Sequence, residues 1–572
     1  MNIVLAALNS KFIHTNLAIR YIRSYCKDFD MDIKEFTIND STDSVIRGIY
    51  SLKPDILGFS CYIWNIEMVL KVCSSLKKIK PKLKILLGGP EVSFDAVDLM
   101  RNHPYIDYII RGEGELSSHQ FFDYIVKSKG TVKDIGNLTY RDKGQIIENA
   151  MNPLIENLAI IPFPYKGKNE DFKNKILYYE SSRGCPYRCK YCLSSTTEGV
   201  RFMPLYRAEQ DLLWFIENNI SLVKFVDRTF NCGRYYKEII KFLIQHCKNT
   251  RFHFEISGEA LDEEAINLLQ SAPYGLFQLE IGVQTTNKET LLNIDRHSDF
   301  NMLSRKISML RKNDNMEIHL DLIAGLPGED YISFARSFND VYKLKPHMLQ
   351  LGFLKVLKGS KMREEAGKYG IIYTDYTPYE VISTDWISFD EIANLKRIEN
   401  VVDIYYNSGR FQASIKYMMP HFKTPFSMFE KISDYMSRAD DTAQNLGNVQ
   451  RYRILYEFSK GLGMLDMKLK ECMMFDYLSQ GRNPSVPDFL KNGLHIDKNK
   501  IWGFIRNADN MAKYFSDYSD KSVKEITKNI NAAKFSFDIP SFLDEGRFQN
   551  VCSVVIFDYG TRNYRGAVRY FT

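Results

Sequence analysis

Six short apolar segments alternate with amphipathic helical segments between about residues 170 and 360, and this alternation constrains the fold more than any other feature of the chain. The predicted strands are Ile176–Glu180, Leu222–Asp227, Phe252–Ser257, Phe277–Val283, Ile318–Ala324 and Met348–Val356. Strands that alternate with helices form parallel sheets. The pattern therefore predicts a partial (β/α)6 barrel, in which functional groups gather at the carboxyl ends of the strands.

Three cysteines follow directly after the first of these strands. Cys185, Cys189 and Cys192 form a C-x3-C-x2-C run. Thiolates at this spacing can ligate three irons of a cubane cluster, which four cysteines normally complete. The loop thus predicts an iron–sulfur cluster with one iron open to another ligand. A zinc site would need a fourth ligand, and ten cysteines in 572 residues without secretory features do not indicate a disulfide framework.

The cysteine run, with the aromatic Tyr191 just before the third cysteine, resembles the signature of the radical S-adenosylmethionine (SAM) enzymes. In that family the open iron chelates the amino and carboxylate groups of SAM, and an electron from the cluster releases a 5′-deoxyadenosyl radical. The resemblance implies a 4Fe-4S cluster held by Cys185, Cys189 and Cys192. It also implies SAM as a cofactor and an external electron donor such as flavodoxin or ferredoxin.

The same resemblance extends along the barrel strands and implies a set of SAM contacts: Tyr191, Asp227, Glu255, Gln284, Arg296 and Asp321. The glutamine and Asp321 would contact ribose hydroxyls, and the arginine would pair with the methionine carboxylate through its planar fork. Glu255 would reach the ribose or the methionine side. Glu255 and Asp321 could instead be solvated charges, but a charge in a buried parallel strand is costly without a partner.

The second barrel strand departs from the resembling subgroup, which usually has two adjacent acids at its end. This chain has Asp227 followed by Arg228. We expect Asp227 near the methionine amino group of SAM, and the role of the second position stays open.

Residues 1–150 are predicted to form a separate α/β domain with a Rossmann-like sheet. The strands Asn2–Ala7, Ile56–Ser60, Ile85–Leu87 and Tyr108–Arg111 alternate with helical segments such as Ile66–Lys78. Ligands of such sheets bind beyond the carboxyl ends of the strands. Those ends carry Ser60-Cys-Tyr-Ile-Trp-Asn, Gly88-Gly-Pro-Glu and Arg111-Gly-Glu-Gly-Glu. The glycines allow close approach of the backbone to a ligand.

Placed ahead of this barrel, these motifs resemble the cobalamin-binding radical SAM proteins, specifically a subgroup with an appended C-terminal domain of unknown function. The resemblance implies cobalamin as a cofactor, and its candidate contacts are Ser60, Tyr62, Trp64, Gly88, Gly89, Glu113 and His14. In the family the serine and the two glycines line the channel for the nucleotide tail. A flavodoxin-like domain whose site has decayed is the open alternative.

His14 stands near the position of the histidine that binds cobalt in many cobalamin domains. Phe12 stands where an aspartate would support that histidine, and Leu17 stands where a glycine is usual. A metal-bound imidazole normally needs an acceptor on its second nitrogen, and Phe12 cannot supply one. We therefore predict that His14 does not coordinate cobalt and that cobalamin binds in a base-off, His-off state.

The remaining organisation follows from composition and periodicity. Residues 151–168 are predicted to connect the domains, residues 169–365 to form the barrel, and residues 366–572 to form a mostly helical domain that caps the substrate site and ends in a β-hairpin of Val551–Phe557 and Gly566–Phe571. The longest apolar runs fall far short of the roughly 20 residues that span a bilayer, and no signal peptide is evident. We expect a cytoplasmic protein that works under anaerobic conditions.

The resemblance implies a cobalamin-dependent radical SAM methyltransferase that acts on an unactivated carbon or phosphorus centre. One SAM would methylate the cobalamin, and a second would supply the radical that removes a substrate hydrogen. Oxidative rearrangement or cyclisation without methyl transfer is the open alternative. A cobalamin or redox sensor without turnover would not need an intact SAM set. The net charge of +6 permits a nucleic-acid partner without indicating one, so the substrate could be a small molecule, a peptide or RNA.

Overall fold

The computed structural model describes residues 1–166, 172–438, 446–481, 485–515, 518, 521–560 and 568–571. The chain divides into two compact units, one of residues 1–330 with 352–389 and one of residues 331–351 with 390–572. The predicted fold class is confirmed, with α/β architecture in the first unit and mainly helices in the second. No helix among the described residues is long and apolar enough to cross a membrane. The domain boundaries at 150, 168 and 365 stay predictions.

The first unit begins with a seven-stranded sheet in the order β2-β1-β3-β4-β5-β6-β7. Its strands are β1 (Ile3–Asn9), β2 (Met31–Thr37), β3 (Ile56–Ser60), β4 (Lys84–Gly88), β5 (Tyr108–Ile110), β6 (Leu138–Asp142) and β7 (Gln145–Glu148). Its helices are Leu17–Tyr25, Thr42–Tyr50, Ile66–Ile79, Ala96–Asn102 and Glu115–Lys127. The first five strands are parallel, whereas β6 and β7 form an antiparallel extension.

The neighbours of β1 position the ligand edge of this sheet. All seven residues of β1 are buried, because helices cover apolar side chains on both faces. The chain leaves β1 for β2 on one side and then returns to β3 on the other side. Such a reversal opens a crevice at the carboxyl ends of the strands, where α/β sheets bind ligands. The loop after β1, which carries His14, and the end of β3 at Ser60 border this crevice.

The barrel sheet of the first unit is parallel and has the order β14-β13-β12-β11-β8. The strands are β8 (Ile176–Tyr179), β9 (Ser182–Gly184), β10 (Val200–Phe202), β11 (Leu222–Phe225), β12 (Arg251–Ile256), β13 (Phe277–Gln284) and β14 (Glu317–Ala324), and β9 and β10 form a separate hairpin. The helices are Leu205–Glu217, Tyr236–His246, Glu263–Gln270, Lys288–Asn293, Phe300–Leu310 and Lys361–Glu364. The sixth predicted strand is β15 (Met348–Phe353), whose residues divide between the two units at Gly352. A short pair, β16 (Ile372–Tyr373) and β17 (Val381–Ser383), completes the first unit.

The second unit is mainly helical. Its helices are Tyr331–Lys343, Phe389–Val402, Gln412–Met418, Pro425–Arg438, Asn448–Gly461, Met467–Ser479, Lys498–Arg506, Ala508–Tyr514, Val523–Lys528 and Ile539–Glu545. It ends in an antiparallel sheet of β18 (Ile530–Phe535), β19 (Ser553–Asp558) and β20 (Val568–Phe571). The predicted terminal hairpin corresponds to β19 and β20, and most of its turn lies outside the described residues. The sequence pattern had not indicated β18.

Candidate functional site

The cysteine loop leaves the barrel through the β9–β10 hairpin. Cys189 is buried, and Cys185 and Cys192 are half-buried. Gly184, immediately before the first cysteine, has a φ of +100°, and a Cβ there would lie 2.2 Å from the Gly199 carbonyl oxygen. Only glycine fits where the backbones of residues 184 and 199 approach so closely, and this close approach determines where the cysteine loop begins.

Polar side chains at the ends of neighbouring strands hold this loop in place. The Tyr187 hydroxyl donates to Ser257 Oγ at 3.0 Å, and Cys185 Sγ lies 3.5 Å from Thr229 Oγ1. Asp227, which is 1% exposed, accepts hydrogen bonds from the Ser181 amide and hydroxyl. Of these anchors, Tyr187, Ser257, Thr229 and Ser181 are positions that the sequence analysis did not single out. The Asp227 carboxylate thus orders the chain before the cysteines, and its contact with SAM stays a prediction.

Arg296 lies beside the buried cysteine. Its Nη1 atom donates to Cys189 Sγ at 3.7 Å, and its Nη2 atom donates to the Gly282 carbonyl oxygen. Its Nε atom is buried and has no hydrogen-bond partner among the described residues. Burial raises the pKa of Cys189, whereas Arg296 opposes this shift. A fixed cation at this position favours the thiolate that binds iron.

Gln284 folds back over β13 next to Arg296. It has a φ of +70°, and the register of the β13–β14 pair shifts between Gly282 and Gln284. A Cβ on Gly282 would lie 2.2 Å from Gln284 Nε2 and 3.7 Å from Arg296 Nη2. The side chains of Gln284 and Arg296 therefore converge over a position that must be glycine. The Oε1 atom of Gln284 is buried without a partner in the described part of the chain.

The two remaining carboxylates lie on the same face of the sheet. Asp321 pairs with Gly282 in the β13–β14 register, and Glu255 pairs with Glu280 in the β12–β13 register. Burial raises the pKa of Glu255 to about 7, against the opposing charge of Arg228. The exposed Arg228 is therefore close enough to act on Glu255. It is a cation at the position where the resembling subgroup usually has a second acid.

These residues fit an iron–sulfur cluster with a bound SAM. Three cysteines come from one anchored loop, and a cation lies against one of them. Within the part of the chain that the structure describes, the neighbouring Gln284 Oε1 and Arg296 Nε atoms have no partner. Buried polar atoms are rarely left unpaired, so a polar ligand at this position would account for both. Arg296 contacts Cys189, and Gln284 lies next to Arg296. Asp321 and Glu255 lie on the same face of the sheet. The contacts of these residues with SAM stay predictions.

At the crevice of the N-terminal sheet, the motif after β3 is largely ordered by its own hydrogen bonds. The buried Ser60 Oγ accepts from Asn16 Nδ2 at 2.9 Å, and Asn65 Nδ2 donates to the carbonyl oxygens of Leu8 and Ser60. Tyr62 and Trp64 stack with ring centroids 4.4 Å apart. Trp64 is 47% exposed and borders a groove of about 590 Å³.

The two glycines at the end of β4, Gly88 and Gly89, lie in different surroundings. Gly89 has a φ of +108°, and a Cβ there would lie 2.5 Å from the Cys61 carbonyl oxygen, so the fold itself requires glycine. A Cβ on Gly88 would make only an ordinary contact of 3.5 Å with the Ile110 carbonyl oxygen. The absence of a side chain at Gly88 is thus not imposed by packing, which fits a ligand that lies against the strand end.

Glu113, a candidate cobalamin contact, joins the N-terminal sheet to the barrel. Its carboxylate accepts two hydrogen bonds from Arg201, and the neighbouring Glu115 pairs with Arg183 at 2.5 Å. Burial would raise the pKa of Glu113, but the hydrogen bonds and charges of Arg201 and Arg183 hold it below its usual range. The acids of the Gly-Glu-Gly-Glu motif therefore bind arginines on both sides of the cysteine loop. A contact of Glu113 with cobalamin stays a prediction.

His14 lies where the loop after β1 meets the first barrel strand. Its Nδ1 atom is 2.6 Å from the Tyr178 hydroxyl, and the Ile176 amide donates to the Ile13 carbonyl oxygen at 2.7 Å. Burial, followed by the charges of nearby lysines, lowers the pKa of His14. Tyr178 provides the partner that Phe12 cannot, and this pairing between distant segments left no signal in the sequence. Tyr178 thus removes the reason for which the sequence analysis excluded His14 as a cobalt ligand, and the base-off, His-off state stays a prediction.

Residues 354–383 supply contacts to the loop after β4 that the sequence did not reveal. The buried Glu91 accepts a hydrogen bond from the Tyr379 hydroxyl and forms an ion pair with Lys358 at 3.1 Å. Lys358 also pairs with Asp95 at 2.8 Å. The carboxylate of the Gly-Gly-Pro-Glu motif is thus held by side chains from far along the chain.

Three family descriptions match successive parts of the chain. Residues 3–121 match the B12 binding domain, residues 179–341 the Radical SAM superfamily, and residues 367–557 the family of unknown function DUF4080. A relative from Streptantibioticus cattleyicolor, 2-(S-pantetheinyl)-carbapenam-3-carboxylate methyltransferase, is 22% identical and aligns with 84% of this chain and 74% of its own. The cobalamin-dependent radical SAM methyltransferase TokK of Streptomyces tokunonensis is 24% identical, and the alignment covers 50% of this chain and 44% of TokK.

A solved structure has a similar fold. The cobalamin-dependent SAM radical enzyme OxsB, with aqua-cobalamin and SAM bound, has a TM-score of 0.58 at 13% identity and covers 83% of this chain and 84% of its own. The B12 binding match covers most of the N-terminal sheet, and the Radical SAM match covers most of the barrel strands. The DUF4080 match covers most of the C-terminal region. The chain therefore carries, in order, a B12 binding domain, a Radical SAM domain and a C-terminal DUF4080 region.

Proposed function

We propose that this protein is a cobalamin-dependent radical SAM methyltransferase that acts on an unactivated carbon or phosphorus centre. The observation that carries the proposal is the direct connection between the two candidate cofactor sites within one compact unit. The loop after β1 bonds to β8, and Glu113 and Glu115 bind the arginines that flank the cysteine loop. When bound, the cluster and SAM supply a 5′-deoxyadenosyl radical, and the cobalamin supplies a methyl group.

The residues of the chain have distinct roles in this proposal. Cys185, Cys189 and Cys192 hold the cluster, and Arg296 binds the carboxylate of SAM through its guanidinium nitrogens. Gln284 and Asp321 bind the ribose hydroxyls. Ser60 and Gly88 border the nucleotide tail of cobalamin. An external reductant such as flavodoxin or ferredoxin supplies electrons in the cytoplasm, where thiols stay reduced.

The experiment uses the full chain, reconstituted with iron, sulfide and cobalamin under anaerobic conditions. The reduced protein is incubated with methyl-deuterated SAM and a metabolite extract of a strain that lacks the gene. We expect a deuterated product together with S-adenosylhomocysteine and 5′-deoxyadenosine, detected by mass spectrometry. A matched reaction with Cys189→Ala controls for labelling by other proteins.

Two outcomes would contradict the proposal in different ways. Formation of 5′-deoxyadenosine with an unlabelled, rearranged or cyclised product would assign the protein to radical chemistry without methyl transfer. Absence of 5′-deoxyadenosine after full reduction, with cobalamin and the cluster both bound, would indicate a sensor.

A further inference from the structure

Three potential metal ligands meet on adjacent strands of the barrel, away from the cysteine loop. His253 of β12, Glu280 of β13 and His319 of β14 each offer one ligand atom, and these atoms lie within 4.8 Å of one another. The register places Glu280 opposite His319, while Glu255, two residues after His253, lies opposite Glu280. Because strand side chains alternate with a period of two, all three share the face that carries Gln284 and Asp321.

The cluster lies nearer the amino ends of the strands than the candidate SAM site. Glu280 precedes Gln284 by four residues, which corresponds to about 13 Å along a strand. His319 precedes Asp321 by two residues, or roughly 7 Å. The three ligands are therefore separate from the cysteine loop and from Gln284 and Asp321, whereas the candidate SAM residue Glu255 lies directly opposite Glu280.

The surroundings of the histidines resemble those of metal-bound imidazoles. His253 is 2% exposed; its Nε2 atom lies 3.0 Å from Glu280 Oε2, and its Nδ1 atom is buried without a partner among the described residues. His319 Nε2 lies 2.9 Å from Glu317 Oε1 and 3.1 Å from Gln278 Nε2. Carboxylates and amides that contact ligand imidazoles commonly orient them.

A hydrogen-bonded charge network is the competing explanation. Lys224 lies on the same face, in register with His253, and its charge acts on both His253 and Glu280. In such a network Glu280 would be balanced by this lysine, and no ion would be needed. The geometry favours an ion, because one ligand atom from each of three adjacent strands lies within 4.8 Å of the other two, close enough for a single ion to bind all three.

We propose that His253, Glu280 and His319 bind a zinc-type divalent ion in the barrel, distinct from the irons of the cysteine loop. Two imidazoles and one carboxylate are a ligand set that zinc accepts, with a water in the fourth position. The ion would link three adjacent strands beneath the SAM site. The inference is independent of whether the protein transfers methyl groups.

The test starts with the full chain produced in zinc-supplemented medium and loaded with its cluster and cobalamin. Metal analysis counts zinc alongside iron and cobalt, and X-ray absorption at the zinc edge identifies the ligand atoms. We expect stoichiometric zinc with a shell of nitrogen and oxygen. Protein without zinc would overturn the proposal, as would zinc with sulfur ligands, which would place it on cysteines.

Substitutions then assign the ligands. His319→Gln and Glu280→Gln should each lower zinc affinity by about tenfold or more, the scale typical of disrupted metal sites. His246→Gln, which changes an exposed histidine at a helix end, should retain the affinity of the parent protein. Equal zinc affinity in all three variants would overturn the proposal. If a variant fails to fold, the zinc count and the absorption spectrum of the parent protein still decide the question.

Discussion

The cysteine loop and the carboxyl edge of the N-terminal sheet use polar side chains in opposite ways. Around the loop, the Oε1 atom of Gln284 and the Nε atom of Arg296 have no partner among the described residues. At the carboxyl edge of the N-terminal sheet, by contrast, Ser60, Glu113 and His14 each have a hydrogen-bond partner within the protein. Glu113 and His14 thus match a family pattern and also connect the N-terminal sheet to the barrel part of the chain.

Loss of a cluster cysteine should have the largest effect. Cys189→Ala should remove the cluster and abolish SAM cleavage, because three thiolates are needed to hold the cubane. Cobalamin should remain bound, since its candidate site lies on the other sheet. Iron content, 5′-deoxyadenosine formation and the cobalamin absorption spectrum check this expectation.

Cys247→Ala is the matched control, because this half-buried thiol lies at the end of a barrel helix. Cys232 is less suitable, since its pKa is raised by burial and then by the charge of the Cys185 thiol, so its substitution could also affect a cluster ligand. Unchanged iron in Cys189→Ala would remove this residue from the ligand set. Loss of cobalamin in the same variant would show that the two sites are not independent.

Glu113→Ala should chiefly weaken the folded state. Removal of one partner of a buried ion pair leaves the other charge uncompensated, and we expect a loss of about 3 kcal/mol in unfolding free energy. Glu148→Ala removes a more exposed pair with Arg111 and should cost under about 1 kcal/mol. Thermal unfolding and cobalamin titration separate the possibilities: weaker cobalamin binding at unchanged stability would restore Glu113 as a cofactor contact.

The pH dependence of this ion pair has a definite sign. Arg201 and Arg183 hold the pKa of Glu113 below its usual range despite burial. A carboxyl with a lowered pKa in the folded state stabilises it at neutral pH, and this contribution is lost as the pH falls through the folded-state pKa. The stability difference between the parent protein and Glu113→Ala should therefore shrink in acid. A constant difference would mean that the lost contribution is not ionic.

Arg296→Ala should weaken SAM binding while the cluster remains. A charge-assisted hydrogen bond contributes about 2 kcal/mol, which corresponds to a roughly thirtyfold weaker affinity. Arg305→Ala, on an exposed helix position, is the control. An unchanged SAM dissociation constant, measured on protein with full iron content, would reassign Arg296 to supporting Cys189.

Substitution of His14 should have the smallest effect. We expect the Co(II) form of the bound cobalamin to show no nitrogen superhyperfine splitting in electron paramagnetic resonance, and His14→Ala to leave that spectrum unchanged. A triplet splitting that disappears in His14→Ala would identify His14 as the cobalt ligand. Tyr178→Phe would then be expected to alter the spectrum, because Tyr178 bonds to the second nitrogen of the ring.

The sequence predicted what local patterns encode. Alternating segments located the barrel strands to within a few residues, and the cysteine spacing identified the loop. β2, β6 and β7 were not predicted, because each is partly exposed and lacks a continuous apolar run. Pairings between distant segments, such as Tyr178 with His14 or Tyr379 with Glu91, depend on tertiary contact and have no local signature.

The contacts of Tyr379 and Lys358 with Glu91 bear on how such a gene can be rearranged. The DUF4080 match begins at residue 367, yet residues 352–389 belong to the first compact unit, which contains the N-terminal sheet and the barrel strands. A recombination event or a laboratory fusion that joined chains at residue 366 would remove Tyr379 from Glu91 and leave that buried acid with one partner fewer. A viable exchange of C-terminal regions between relatives would therefore need its junction after residue 389.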